Sequence, residues 1–318
     1  MKSVVVTGAS GFVGRSVVRR LAALGWRVTA LVRRDEEVPG ASRHARVDDL
    51  DDLDALRVAL AGARAVIHLA ARVHVMRETA TDSLAAFRAV NVDGTRHVRD
   101  LAVKAGVQRL VYLSSVKVHG AGRRTPYHAE DALAPEDPYG VSKQEAEGLL
   151  HQISGERLGW TILRPPLVYG PQVRGNFRRL LRLAELASKV PLPLGGIANR
   201  RSLLYVENLA DAIAAVLATE AAIGRTYLLS DGEDLSTSEL LEHLAAGLGR
   251  RAHLLPCPTR LATAFARVLD RSGEAQRLLG SLTVDSSPLH RETGWKAPHA
   301  VDAALCVTAE WWRALRNP

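Results

Sequence analysis

The chain has 318 residues, 47% hydrophobic and 24% charged, a globular composition that excludes disordered, collagen-like and coiled-coil architectures. The formal net charge of +8 is spread along the sequence without a basic tail or a nucleic-acid recognition motif, so it suits a phosphorylated small molecule and argues against nucleic acid. Cys257 and Cys306 stand far apart without metal-ligand spacing, no run approaches the ~18 apolar residues of a membrane span, and Met1-Lys2-Ser3 leads directly into Val4 with no signal-peptide core. The expectation is a cytoplasmic protein without a metal, a disulfide or a membrane contact.

Short apolar runs alternate with helical patterns through the first half. Strands are predicted at Ser3 to Thr7, Arg27 to Val32, Ala65 to His68, Arg109 to Leu113 and Trp160 to Leu163. Helices are predicted near 13–24, 52–60, 82–104 and 139–152. Such alternation predicts an α/β fold, a doubly wound parallel sheet whose strands, like Val4-Val5-Val6, are apolar throughout because both faces are covered. Beyond Arg164 the pattern loosens around Pro165-Pro166, Pro171 and Pro191 to Pro193, and helices follow near 206–218, 236–248 and 299–315. The organisation read from this is a nucleotide-binding domain over 1–168, with 199–220 returning to it. A smaller mixed α/β C-terminal substrate lobe takes 169–198 and 221–318.

Thr7-Gly8-Ala9-Ser10-Gly11-Phe12-Val13-Gly14 joins the first strand to the first helix with glycines at G-x-x-G-x-x-G spacing. Gly8 allows the tight turn, Gly11 lets the backbone approach a pyrophosphate, and Gly14 lets helix pack on strand. The free N–H groups of Ser10 to Val13 and the helix dipole then favour an anion. At the end of the second strand, where a carboxylate often binds the adenosine ribose, stand Arg33 and Arg34. Two guanidinium groups suit a 2′-phosphate and favour NADP(H), with NAD(H) the alternative; Asp35 and Glu36 nearby keep open the reading of solvated surface arginines.

Tyr139-Gly140-Val141-Ser142-Lys143 opens a helix, so Tyr139 and Lys143 share one face, about 5–6 Å apart at Cβ. A cation beside a phenol lowers its pKa, which suits Tyr139 to general acid–base work. Ser114 and Ser115 end the fourth main strand, at the sheet edge where open α/β folds bind ligands. A Tyr-x-x-x-Lys pair recurs by chance on helices; its place behind a nucleotide turn is what gives it weight. His74, near the cofactor loop, is of the side-chain type that can exchange a proton near neutrality, but a lone histidine is more often structural.

Together these motifs resemble the extended short-chain dehydrogenase/reductases, in particular the nucleotide-sugar epimerase and dehydratase family. The resemblance runs over nearly the whole chain. It is carried by Gly8, Gly11 and Gly14, His68-Leu69-Ala70-Ala71, Asn91-Val92-Asp93-Gly94-Thr95, Ser114-Ser115, Tyr139 with Lys143, and Arg164-Pro165 leading to Val168-Tyr169-Gly170. It implies a Rossmann-type fold in which Asp49 and Leu50 contact adenine and Leu69, Ala70, Ala71 and Pro165 line the cofactor. It also implies that Tyr139 carries the proton, that Lys143 holds the nicotinamide ribose, and that Ser115 hydrogen-bonds the reacting sugar oxygen. Asn176 and Arg201 would contact the diphosphate of a UDP-linked sugar, although Asn176 also reads as a helix N-cap and Arg201 as a surface charge. Family members commonly pair through two long helices, here near 82–104 and 139–152, which implies a homodimer.

The 4,6-dehydratases of this family carry an Asp-Glu pair after the catalytic Ser or Thr, where this chain has Val116 and Lys117. Neither supplies a carboxylate for eliminating water. Epimerisation and net reduction remain. The stretches from Arg164 to Pro171 and from Asn199 to Ser202 look like enzymes that reduce a UDP-4-keto-6-deoxy-N-acetylhexosamine; a UDP-sugar 4-epimerase is the alternative. His119 and Leu167 depart from residues usual in the family's sugar pocket. A protein of this fold that binds NADPH as a redox sensor or structural subunit is the non-enzymatic reading, and it predicts a broken Tyr-x-x-x-Lys pair, which is intact here.

Overall fold

Val4 and Val6 face one side of the first strand and Val5 the other, and this alternation divides the interior into two cores. The computed structural model describes residues 2–73, 82–153, 158–257 and 279–316, so His74 lies outside the described residues. The chain runs β1 (Ser3–Thr7), α1 (Phe12–Ala23), β2 (Arg27–Val32), β3 (Arg43–Arg46), α2 (Leu53–Leu60), β4 (Ala65–His68) and α3 (Ser83–Arg88). A π-helical turn at Ala89–Asp93 leads into α4 (Gly94–Lys104), followed by β5 (Arg109–Leu113), α5 (Pro138–His151) and β6 (Gly159–Arg164). After these come β7 (Leu167–Tyr169), α6 (Gly175–Ala187), β8 (Leu192–Gly195), β9 (Arg201–Tyr205), α7 (Val206–Ala218) and β10 (Arg225–Leu228). The last elements are β11 (Asp234–Leu235), α8 (Thr237–Gly247), β12 (Leu254–Pro256), α9 (Ser287–Thr293) and α10 (Val301–Arg316).

Seven parallel strands lie in the order β10-β6-β5-β4-β1-β2-β3. Chain order reverses between β1 and β4, which makes a crevice at their carboxyl ends. On one face Val4, Val6, Ala30 and Ile67 pack under α1 and α7; on the other Val5, Val66, Leu110 and Tyr112 pack under α2, α4 and α5. Each fully buried Val or Leu contributes about 1.5–3 kcal/mol relative to exposure. A third core joins α6, α8 and α10 to β7 and β9.

The structure departs from the sequence reading in three places. Arg225–Leu228, expected in the smaller lobe, is the edge strand of the central sheet and pairs with β6. Conversely, Arg201–Tyr205, expected to return to the first domain, pairs with β7 and β11 in a separate three-stranded sheet; only α7 after it packs against α1. The helix expected over 82–104 is interrupted by the π turn at Ala89–Asp93, whose extra residue leaves Asn91 buried and pointing its amide toward α5.

Candidate active site

The turn after β1 is built around missing Cβ atoms. Gly8 has φ +66°, and a Cβ there would lie 2.8 Å from the Ala70 backbone N; a Cβ on Gly14 would lie 2.2 Å from the Gly8 carbonyl oxygen. Gly11 N donates to that carbonyl at 3.0 Å. Gly11 is the N-cap of α1 and no side chain caps it, so the first amides of the helix are free to meet an anion. Ser10, Phe12 and Val13 are half-buried in this turn, Leu69 and Ala70 lie against Gly8 from the end of β4, and Ala71 follows them half-buried. This cradle fits a pyrophosphate.

Beyond β2, Arg33 and Arg34 are exposed. The nearby acids have other partners: Glu36 pairs with Arg15, and Asp35 lies 3.8 Å from Arg46. Asp49 is exposed, while Leu50 is half-buried, with its carbonyl oxygen 3.0 Å from His97 Nδ1 and its side chain against Gly94.

Ser115 follows β5 in extended backbone and caps the short 3-10 turn Val116–His119, accepting from Lys117 N at 3.3 Å. Tyr139 lies in the first turn of α5, which starts cleanly because Pro138 sits at its first position and Asp137 Oδ1 accepts from Gly140 N at 2.8 Å. The Ser115 hydroxyl is near enough to the Tyr139 phenol to favour its ionised form. Lys143 is 2% exposed, and its Nζ donates to Leu113 O at 2.8 Å and to the Tyr112 hydroxyl at 3.2 Å. Ser115, Tyr139 and Lys143 therefore meet at the carboxyl end of β5. Pro165, buried nearby, accepts from Val116 N at 2.9 Å and holds the Ser115 loop against β6.

Electrostatics differ from the simple cation–phenol picture. Burial pushes the Tyr139 phenol up to about 12, against the Ser115 hydroxyl that pulls it down. Burial pushes Lys143 down to about 7, against the charge of Glu147 that pulls it up. At neutral pH the phenol is protonated, ready to act as an acid. Lys117, standing where dehydratases have a carboxylate, pairs with Asp137 and lies 5.9 Å from the centre of the Tyr139 ring.

Asn176 is half-buried at the second position of α6, whose N-cap is Arg174, so the N-cap reading of Asn176 is incorrect. Arg201 is not a surface charge: it is half-buried at the start of β9, donates from Nη1 to Gly280 O at 2.9 Å, and burial holds its guanidinium below the usual range. His119, expected to touch the sugar pocket, is instead 4% exposed, stacked on Tyr127 at 5.2 Å and hydrogen-bonded to Arg164. Leu167 packs on the third core.

Sequence reasoning missed how the site is tied together. Asn91 Nδ2 donates to Ser142 Oγ at 2.9 Å, and Ser142 Oγ donates to the Tyr139 carbonyl at 2.8 Å. The Asn91-to-Thr95 motif was visible, but its partner on α5 is 51 residues away.

A sequence profile described as the NAD dependent epimerase/dehydratase family matches residues 4–230. UDP-glucose 4-epimerase of Vibrio cholerae is 35% identical, the match covering 99% of this chain and 97% of that protein. dTDP-glucose 4,6-dehydratase of Streptomyces griseus is 31% identical over 98% of this chain and 94% of its own length. Among solved structures, MoeE5 in complex with UDP-glucuronic acid and NAD is similar with a TM-score of 0.77 and 26% identity, covering 98% of this chain and 99% of that one. The glycine cradle, the Ser115-Tyr139-Lys143 cluster and these full-length similarities agree: the chain belongs to the NAD dependent epimerase/dehydratase family, as an enzyme of the extended short-chain dehydrogenase/reductase type.

Proposed function

We propose that the protein transfers hydride at C4 of a UDP-linked sugar, reducing a UDP-4-keto-6-deoxy-N-acetylhexosamine. The observation that carries this reading is the Ser115-Tyr139-Lys143 cluster at the edge of β5, with a protonated phenol beside a serine hydroxyl. A bound nicotinamide dinucleotide supplies the hydride. In the reductive direction Tyr139 gives its proton to the carbonyl oxygen of the sugar while Ser115 donates a hydrogen bond to the same oxygen. Lys143 stabilises the phenolate left behind and restores its proton. Val116 and Lys117 provide no carboxylate for dehydration.

Gly8, Ser10, Gly11, Phe12, Val13 and Gly14 would hold the pyrophosphate, Asp49 and Leu50 the adenine, and Leu69, Ala70, Ala71 and Pro165 the remaining walls. The exposure of Arg33 and Arg34 supports NADP(H). Asn176 and Arg201 would bind the substrate diphosphate; a half-buried guanidinium with one carbonyl partner at 2.9 Å retains donors for phosphate. We place 1–168 with α7 and β10 around the cofactor and the rest, β9 with Arg201 included, around the substrate. The protein would act in the cytoplasm as a homodimer paired through the stretch 82–104, from α3 through α4, and α5.

A second reading, a UDP-sugar 4-epimerase, is favoured by the Vibrio cholerae relative, named UDP-glucose 4-epimerase. Purified protein incubated with a UDP-4-keto-6-deoxy-N-acetylhexosamine and NADPH or NADH separates them. Stoichiometric loss of reduced-nicotinamide absorbance supports the reductase. Conversion of UDP-glucose or UDP-N-acetylglucosamine to its C4 epimer without added reductant, and with no net loss of absorbance, overturns it in favour of the epimerase.

A further inference from the structure

Behind the catalytic helix lies a buried ion pair that the chemistry above does not use. Glu147 is 0% exposed and Arg164 3%. Arg164 Nε donates to both carboxylate oxygens of Glu147, at 3.0 and 3.2 Å, and Nη2 donates to Oε2 at 2.6 Å. Its remaining arm, Nη1, donates to His119 Nε2 at 3.0 Å and to Ala129 O at 2.8 Å. Apolar side chains of the same volume would often serve stability as well as such a pair, because taking two charges out of water is costly. Stability alone therefore gives no reason for it.

Its position does. Tyr139, Lys143 and Glu147 follow one another at successive turns along one face of α5. Around the Lys143 ammonium stand Tyr112 and Leu113 O from β5, His68 from β4, and Glu147 one turn further along α5, while Asp137 at the start of α5 faces Tyr139. Tyr112 is kept neutral because burial raises its phenol well above the ordinary range, and His68 because burial lowers its imidazole to about 3. Glu147 is the opposite charge that acts on Lys143.

We propose that Glu147, clamped by Arg164, is a positioning residue for the reaction: it keeps the Lys143 ammonium charged and aligned beside Tyr139. The clamp also spans the site. Arg164 holds α5 through Glu147 and the Ser115 loop through His119, so one guanidinium sets the two halves of the catalytic cluster against each other. His119 must accept from Arg164 and is therefore neutral, and burial holds it down at about 4, so the clamp does not change charge near neutrality. Burial drives Lys143 toward the free amine; its bonds to Leu113 O and the Tyr112 hydroxyl hold the ammonium, and Glu147 is the one charged group that opposes the loss of its proton. Without Glu147 the balance at neutral pH shifts toward the free amine. The inference rests on the hydride-transfer reading for its catalytic consequence, and not for the electrostatic coupling itself.

The chain has six lysines, so the side-chain Cε signals of carbon-13-labelled lysine can be followed by NMR as pH is varied, in wild type and in Glu147→Gln, both loaded with nicotinamide cofactor. The Lys143 midpoint is expected to fall by about one pH unit or more in the variant; an unchanged or raised midpoint overturns the proposal. Should Glu147→Gln not yield folded protein, Glu147→Gln with Arg164→Met removes both charges. The same direction of shift is expected there, and a smaller one, because Glu147 lies one turn from Lys143 on α5 while the Arg164 cation removed with it would itself have disfavoured the ammonium. With substrate, the alkaline fall in kcat should move to lower pH by the same amount with KM little changed. A uniform loss of kcat at all pH values would mark a merely structural role and overturn the proposal. Wild-type protein that binds cofactor but turns over no nucleotide sugar would count against the proposed function, while the NMR titration would still decide the coupling.

Discussion

The Thr7 hydroxyl lies 2.7 Å from His68 Nδ1 and accepts hydrogen bonds from Leu69 N at 3.1 Å and Ala70 N at 3.0 Å. With both acceptances made, its single proton goes to Nδ1, which leaves the other ring nitrogen protonated and aimed at Thr95 Oγ1, 3.1 Å away. Thr95 in turn donates to Asn91 O at 2.6 Å. Through Asn91 and Ser142 the phosphate turn is thus hydrogen-bonded to the catalytic helix. Thr7→Val keeps the shape and leaves two part-buried amides and the buried His68 without their partner. The expected loss is about 1–3 kcal/mol of stability, read as a lower Tm, together with weaker NADH binding by fluorescence titration. An unchanged Tm would show that Thr7 fills space only.

Tyr139→Phe removes the proton donor and leaves the ring against Phe87, whose centroid lies 6.1 Å away. We expect kcat to fall by about 10²–10⁴, the ordinary weight of general acid–base catalysis, with cofactor affinity and Tm nearly unchanged. Single-turnover rates with premixed cofactor would check this. A loss of cofactor binding in step with activity would assign Tyr139 a binding role instead.

Gly14→Ala would place a Cβ 2.2 Å from Gly8 O and 2.7 Å from Ala9 Cα. Both neighbours are backbone, so α1 must move away from β1 and the cradle must open. The expected result is reduced Tm and cofactor affinity lowered by tenfold or more, about 1.4 kcal/mol. Gly148→Ala, on α5 where a Cβ meets open space, serves as the comparison and should cost nothing.

The Gly14 and Tyr139 predictions draw on residues that local sequence singles out, whereas the Thr7–His68 contact spans 61 residues. Glycine spacing after an apolar strand, and Tyr and Lys one turn apart, are short-range signals. Strand β3, with the sequence Arg-His-Ala-Arg and burial confined to half of one residue, escaped notice because an edge strand exposed on this scale has no apolar alternation. Arg225–Leu228 escaped because its pairing with β6 follows a long crossover through α7. The Glu147–Arg164 pair has a different reason. Arg164 sits inside a recognised motif and Glu147 one turn beyond Lys143, but their meeting depends on α5 lying against β6, which no spacing along the chain encodes.

Arg33 and Arg34 decide the cofactor if they meet a 2′-phosphate. The double substitution Arg33→Ala with Arg34→Ala should raise the Kd for NADPH by about tenfold or more, as for loss of charge-assisted hydrogen bonds, and leave that for NADH unaltered. Titration of each reduced cofactor by fluorescence measures both. Equal Kd values for NADPH and NADH in the wild type would return these arginines to the role of solvated surface charges.

Acid should destabilise the fold before its carboxylates begin to titrate. His68 and His119 are held at about 3 and about 4 by burial, with nearby cations adding to the effect, whereas an unfolded histidine titrates near 6.5. Between those values the unfolded chain binds protons that the folded chain refuses, so stability rises with pH across that window and is lost as pH falls below about 6.5. Each histidine contributes a slope of about 1.4 kcal/mol per pH unit within it. Chemical denaturation at pH 7, 6 and 5 should therefore show a falling midpoint, at pH values above the ordinary range of Asp and Glu. His119→Gln retains an acceptor for Arg164 and removes the titrating ring, so its slope should be shallower than that of the wild type by one histidine's share. A parallel slope in the variant would mean that His119 takes up its proton in the folded state as readily as in the unfolded chain, and would place the acid sensitivity on His68 alone.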